Sequence, residues 1–166
     1  MVFDPLPLSP HNSKRLMQFG PVTHILISNS DHVRDAVRLG EMTDAQIYGP
    51  VAEKDHFPIP CSNWLDEGDK PMQGLEVFTM QGSKSPGELA FLIGGHTLIT
   101  GDLIRAHEGG KLCLLPDHKL TDKAAAIASV KRLAKIPTIS AILPGDGWPV
   151  FREGQTVLRE LVSSLK

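Results

Sequence analysis

Residues 22–39 read VTHILISNSDHVRDAVRL, and this stretch decides the fold. The β-branched, apolar run from Val22 to Ser28 reads as a strand. It leads into a polar turn, Asn29-Ser30-Asp31-His32, that opens a helix through Leu39. Gly40 is placed to close that helix, and Ala45 to Tyr48 reads as a second short strand. Strand, helix, strand in this order calls for a parallel pair. The polar turn then lies at the C-terminal end of a strand, where α/β sheets present ligand-binding groups.

Upstream, Val2-Phe3 before Asp4-Pro5 reads as the end of a strand. Ser9-Pro10 supplies an N-cap and a first helical residue for a short helix running to Phe19, with Gly20 stopping it. Downstream the pattern changes. Leu75 to Met80, Glu88 to Ile93 and Thr97 to Thr100 are consecutive strand candidates joined by Gly-rich turns, which predicts an antiparallel meander with a tight hairpin at Gly94-Gly95. Residues 82–87, GSKSPG, are too long and too polar to be only a tight turn. Thr121 is placed to cap a helix carrying Ala125, Ile127, Val130 and Leu133, and Ile139 to Leu143 reads as a strand. Pro144-Gly145-Asp146-Gly147 is a further strand-end loop, and a last helix runs from about Glu153 to Leu165.

Four polar loops therefore each follow a strand candidate: Asn29 to His32, Gly82 to Gly87, Gly101-Asp102, and Gly145 to Gly147. Loops on one rim can converge on one site. Three of them hold carboxylates or imidazole, at Asp31 with His32, at Asp102 and at Asp146, so together they have the chemistry to bind one divalent cation. The order of the loops resembles the metallo-β-lactamase fold superfamily. Its usual signature is H-x-H-x-D-H, then Gly-His before Ser/Thr-Pro-Gly, then Gly-Asp after a strand, and last Pro-Gly-His. Asp31 and His32 match the end of the first motif. Arg34-Asp35 follows as in a degenerate branch with the loop S/T-N-x-D/H-H-x-R-D/S-A. The frames of the other three motifs fall on Gly82 to Gly87, Leu98 to Asp102 and Leu143 to Gly147.

This resemblance covers nearly the whole chain and implies an α/β (α+β) fold, the αββα sandwich, as a single domain over residues 1–166. Members usually have two or more strands before the segment that resembles Val2 to Pro5, so the first sheet is expected to lack its opening strands. In the family one metal takes three histidines. Their places here fall on Ile27, Asn29 and Ser83. The second metal's set survives as Asp31, His32, Asp102 and Asp146, with aspartate replacing the final histidine. Three carboxylates with one imidazole form a hard shell that favours manganese, magnesium or iron over zinc. The resemblance thus implies at most a mononuclear metal centre, and Ser83, Lys84 and Trp148 become candidates for contact with substrate.

Each of these residues also has a plainer reading. Asp31 suits a helix cap and His32 a loop hydrogen bond. Asp102 suits a turn pinned by backbone N–H groups, and Asp146 is an ordinary turn residue. Two functions follow as expectations. One is a metal-dependent hydrolase of ester-like or phosphoester bonds, and the other is a non-catalytic member of the fold acting as a binding or interaction module.

Composition narrows the partners. A net charge of −2 with scattered Lys and Arg leaves no basic stripe, which argues against nucleic acid and for a small-molecule ligand. Two distant cysteines, Cys61 and Cys113, and no apolar run of membrane-spanning length lead to the expectation of a cytoplasmic chain with reduced thiols. The missing opening strands would leave a sheet edge that charge at Val2-Phe3 does not blunt, so a homodimer burying that edge is expected.

Overall fold

The computed structural model describes residues 1–165; Lys166, the last residue of the expected domain, lies outside the described residues. Its contacts divide the chain into two compact units, Met1–Leu65 and a second from Asp66 onward.

The first unit is built on a four-stranded sheet in the order β1 (Val2–Phe3), β2 (His24–Leu26), β3 (Gln46–Pro50), β4 (Asn63–Leu65). All its pairings are parallel, as the strand-helix-strand pattern requires. The helix α1 (Pro10–Gln18) links β1 to β2, and the Ser9 hydroxyl accepts the Asn12 N–H at its start. The helix α2 (Ala36–Thr43) links β2 to β3. Here the structure differs from the sequence reading. The turn at residues 30–32 forms its own 3-10 helix, and α2 begins only at Ala36. Gly40 sits inside α2, buried against Ile47, and Asp44 ends the helix in the left-handed conformation instead. Ile25 of β2 and Ile27 just beyond its end pack with Val22, Ala36 and Leu39 to form this unit's core.

The second unit carries a sheet in the order β10, β7, β6, β5. In it β5 (Leu75–Thr79), β6 (Leu89–Ile93) and β7 (Thr97–Thr100) form the expected antiparallel meander. The strand β10 (Ala141–Pro144) then pairs parallel with β7. A hairpin of β8 (Ile104–Glu108) and β9 (Lys111–Leu114) completes the strands. That hairpin escapes a reading based on apolar alternation, because Arg105, His107, Glu108 and Lys111 make it half polar. The helix α3 (Lys123–Leu133) is capped by Asp122, whose carboxylate accepts the Ala125 N–H, rather than by Thr121. Ala126, Val130 and Leu133 of α3 join Leu92, Leu98, Ile142 and residues of α4 (Gly154–Ser164) in one core. Among the described residues no helix is long and apolar enough to cross a membrane. Both cysteines are free, and burial pushes the Cys61 thiol up to about 11, which favours the protonated thiol near neutral pH.

One backbone approach fixes the position of the loop after β10. Gly147 has φ of 108°, and a Cβ there would lie 2.1 Å from the Ala106 carbonyl oxygen. The Gly147→Ala variant must therefore strain its backbone and push β8 away. It is expected to lose about 2–4 kcal/mol of stability, measured by urea unfolding with an unchanged m-value.

Candidate functional site

In the first unit, Asp4 and Ser28 follow the C-terminal ends of adjacent parallel strands, so their side chains meet. The Ser28 N–H and hydroxyl both donate to the Asp4 carboxylate, each at 2.7 Å. His32 is 5% exposed and brings Nδ1 to 2.9 Å from Asp4 Oδ2 and 2.8 Å from Ser28 Oγ. A carboxylate this close holds the proton on Nδ1 and fixes the ring plane, which is how proteins orient a histidine that ligates through its other nitrogen. Asp4 and Arg34 both adopt positive φ, at 42° and 40°, and Arg34 Nη1 donates to the Asp4 carbonyl oxygen. Strained non-glycine residues of this kind persist where surrounding contacts over-determine them.

Asp31 is exposed on the 3-10 turn, and its N–H is capped by the Asn29 side chain. The capping residue is thus Asn29, not Asp31. Asn29 and Ile27, two of the places where the family has histidines, are both fully buried, with Ile27 in the core.

In the second unit, Pro144 lies directly across from Thr100, and the Gly145 N–H donates to the Thr100 carbonyl at 2.7 Å. Gly101-Asp102 and Gly145-Asp146 therefore leave the sheet side by side on one rim. The 82–87 loop enters β6 at this same rim, because β6 runs antiparallel to β7. Ser83, the third histidine place, is fully buried and its hydroxyl donates to Glu88 Oε2 at 2.5 Å. Glu88 is also fully buried, and its other oxygen accepts the Leu103 N–H at 2.8 Å. Sequence reading missed Glu88, because a single glutamate at a strand start carries no motif; its only signal is a charge at the head of a run as apolar as Leu89 to Ile93.

The two rim carboxylates are each met by a side-chain cation. Lys84 Nζ lies 3.0 Å from Asp102 Oδ2, with the Asp102 side chain 10% exposed. Arg105 Nη2 is bonded to Asp146 Oδ2, and His107 Nε2 lies 3.9 Å from the same oxygen. An ammonium or guanidinium at this position competes with a metal for the same lone pairs and repels it. These two carboxylates as arranged do not fit a divalent cation. Among the described residues no group of three or more His, Cys, Asp or Glu side chains is placed to hold one. Trp148 is 66% exposed beside this rim, its backbone N–H donating to the Ala106 carbonyl, so it does not close the core.

The chain matches the model of the metallo-beta-lactamase superfamily over residues 1–165. Among solved structures it is similar to TTHA1623 in a di-iron-bound form, with 24% identity and a TM-score of 0.72 over 96% of this chain and 86% of that one. It is similar to a metallo-beta-lactamase from Pontibacter korlensis, with 12% identity and a TM-score of 0.74 over 99% and 79% of the two chains. It is also similar to FIM-1 from Pseudomonas aeruginosa in a mono-zinc form, with 14% identity and a TM-score of 0.73 over 98% and 78%. None of the curated proteins matches the chain.

The buried Ser83–Glu88–Leu103 link holds the loop that carries Lys84, and its central carboxylate bears more of it than the terminal hydroxyl. Glu88→Ala strands both a hydroxyl and a backbone N–H and is expected to cost about 2–4 kcal/mol, against about 1–2 kcal/mol for Ser83→Ala. Thermal unfolding of the two variants measures the difference, and equal losses would contradict the bridging role of the carboxylate.

Proposed function

The chain belongs to the metallo-beta-lactamase superfamily, and on that premise we propose that it is a non-catalytic member whose rim binds a small ligand without a metal. The observation that carries this reading is the pairing of Lys84 with Asp102 and of Arg105 with Asp146. Both carboxylates stand where the family resemblance puts ligands of the second metal, and both are already neutralised. The three histidine places support the same reading, since a core isoleucine, a capping asparagine and a buried serine cannot hold the first. What remains on the rim is a set of alternating charges beside an exposed indole, which suits a small polar ligand with a flat apolar face. Related structures carry di-iron and mono-zinc centres, whereas here Asp102 and Asp146 are each paired with a side-chain cation.

A second reading, a metal-dependent hydrolase with a single ion, is favoured by one observation. The Asp4–His32 contact orients an imidazole as a metal ligand is oriented. Its chemistry would be activation of a water against an ester-like or phosphoester bond.

Metal analysis of protein reconstituted with zinc, manganese or iron, paired with assays on nitrophenyl esters and phosphoesters, separates the two. The first reading predicts far less than one metal per chain and no hydrolysis above the buffer rate. One tightly held ion whose loss in Asp102→Asn abolishes turnover would establish the hydrolase instead.

A further inference from the structure

The first unit carries a concave surface whose residues take no part in the rim chemistry of the second. A cavity of about 450 Å³ opens between β1, the loop that follows it and α1, and Val2, Phe3, Leu8 and Leu16 are among the apolar side chains that line it. That size lies within the range of roughly 300–1,000 Å³ typical of small-molecule sites. The apolar surface here is unusually open. None of the residues of α1 is buried, Phe19 just beyond it is 82% exposed, and Leu6 is 61% exposed. Isolated apolar side chains on a surface need no explanation, but several lining one cavity do.

The charge on the cavity wall selects among occupants. Arg15 lines it, and among the described residues its side chain makes no hydrogen bond or ion pair. Arg34 also lines it and donates to the Asp4 carbonyl. The one acidic residue in the wall, Asp4, has its carboxylate turned to Ser28 and His32. The lining is therefore apolar with a cationic edge, and a guanidinium is the side chain best shaped to take a carboxylate through two parallel hydrogen bonds.

We propose that this cavity binds a soluble single-chain carboxylate of medium length, its apolar chain lying on Phe3, Leu8 and Leu16 and its carboxylate held by Arg15. Binding depends on the charge and the chain together, so a neutral amphiphile of the same length is a weak ligand. Neither the metal content of the rim nor any hydrolytic activity enters into it.

Isothermal titration of the full chain with decanoate and with decanol tests this. Decanoate is expected to bind one per chain and decanol about tenfold more weakly, with Arg15→Gln reducing the decanoate affinity by about tenfold while leaving decanol unchanged. Leu16→Asp is expected to abolish both, and an unaltered unfolding midpoint in Arg15→Gln keeps the comparison free of folding defects. No decanoate heat at millimolar concentration, equal binding of decanoate and decanol, or binding only to phosphatidylglycerol vesicles would overturn the proposal. So would a dimer, seen by sedimentation, that excludes decanoate, since the surface would then belong to a second copy.

Discussion

The in-register parallel pairing of β10 with β7 is the constraint on which the rim of the second unit depends. It sets Pro144 opposite Thr100 and so launches Gly101-Asp102 and Gly145-Asp146 from neighbouring strand ends. Two carboxylates brought to one rim repel each other unless something cationic lies close. A bound metal ion is one general way to meet that need. Here Lys84 and Arg105 meet it, each delivered by an element with its own reason to be in place. Lys84 rides on a loop anchored by Ser83 and Glu88. Arg105 lies on β8, whose neighbour Ala106 bonds to both Asp146 and Trp148 through its backbone.

The exposures of these groups explain why the pairing matters. Asp102 is 7% exposed, and a carboxylate so poorly hydrated is costly unless charge or hydrogen bonds compensate it. A lysine three-tenths exposed provides that compensation while keeping contact with water. Glu88 is fully buried, and its two carboxylate oxygens accept from the Ser83 hydroxyl and the Leu103 N–H. The rim thus holds one buried carboxylate met by a side-chain ammonium and another met by a hydroxyl and a backbone N–H.

Much of the fold was legible because its periodicities are strong. The parallel β2–β3 pair, the meander of β5 to β7 and the helix α4 all follow from apolar spacing and turn residues. The hairpin of β8 and β9 was not, since its alternation is masked by charge, and Gly40 misled because packing against Ile47 outweighed its propensity to end a helix. At the site, the rim positions of Asp102 and Asp146 were legible from strand-end loops. Their partners were not: an ion pair between residues 84 and 102, or between 105 and 146, leaves no local pattern in a chain. The role of Asp4 was hidden for the same reason, its contacts with Ser28 and His32 spanning 24 and 28 residues.

In the first unit the same physics gives a different result. Asp4, Ser28 and His32 form a buried polar trio in which every hydrogen bond serves orientation, with the backbone at Asp4 and Arg34 held in strained conformations around it. The central claim, that side-chain cations stand in place of the metal on the rim, is tested most directly by anomalous diffraction. Crystals grown with excess manganese or zinc should show Lys84 Nζ against Asp102 and no anomalous peak within coordination distance of either rim carboxylate. A strong peak bonded to Asp102 or Asp146, with Lys84 or Arg105 turned away, would contradict it.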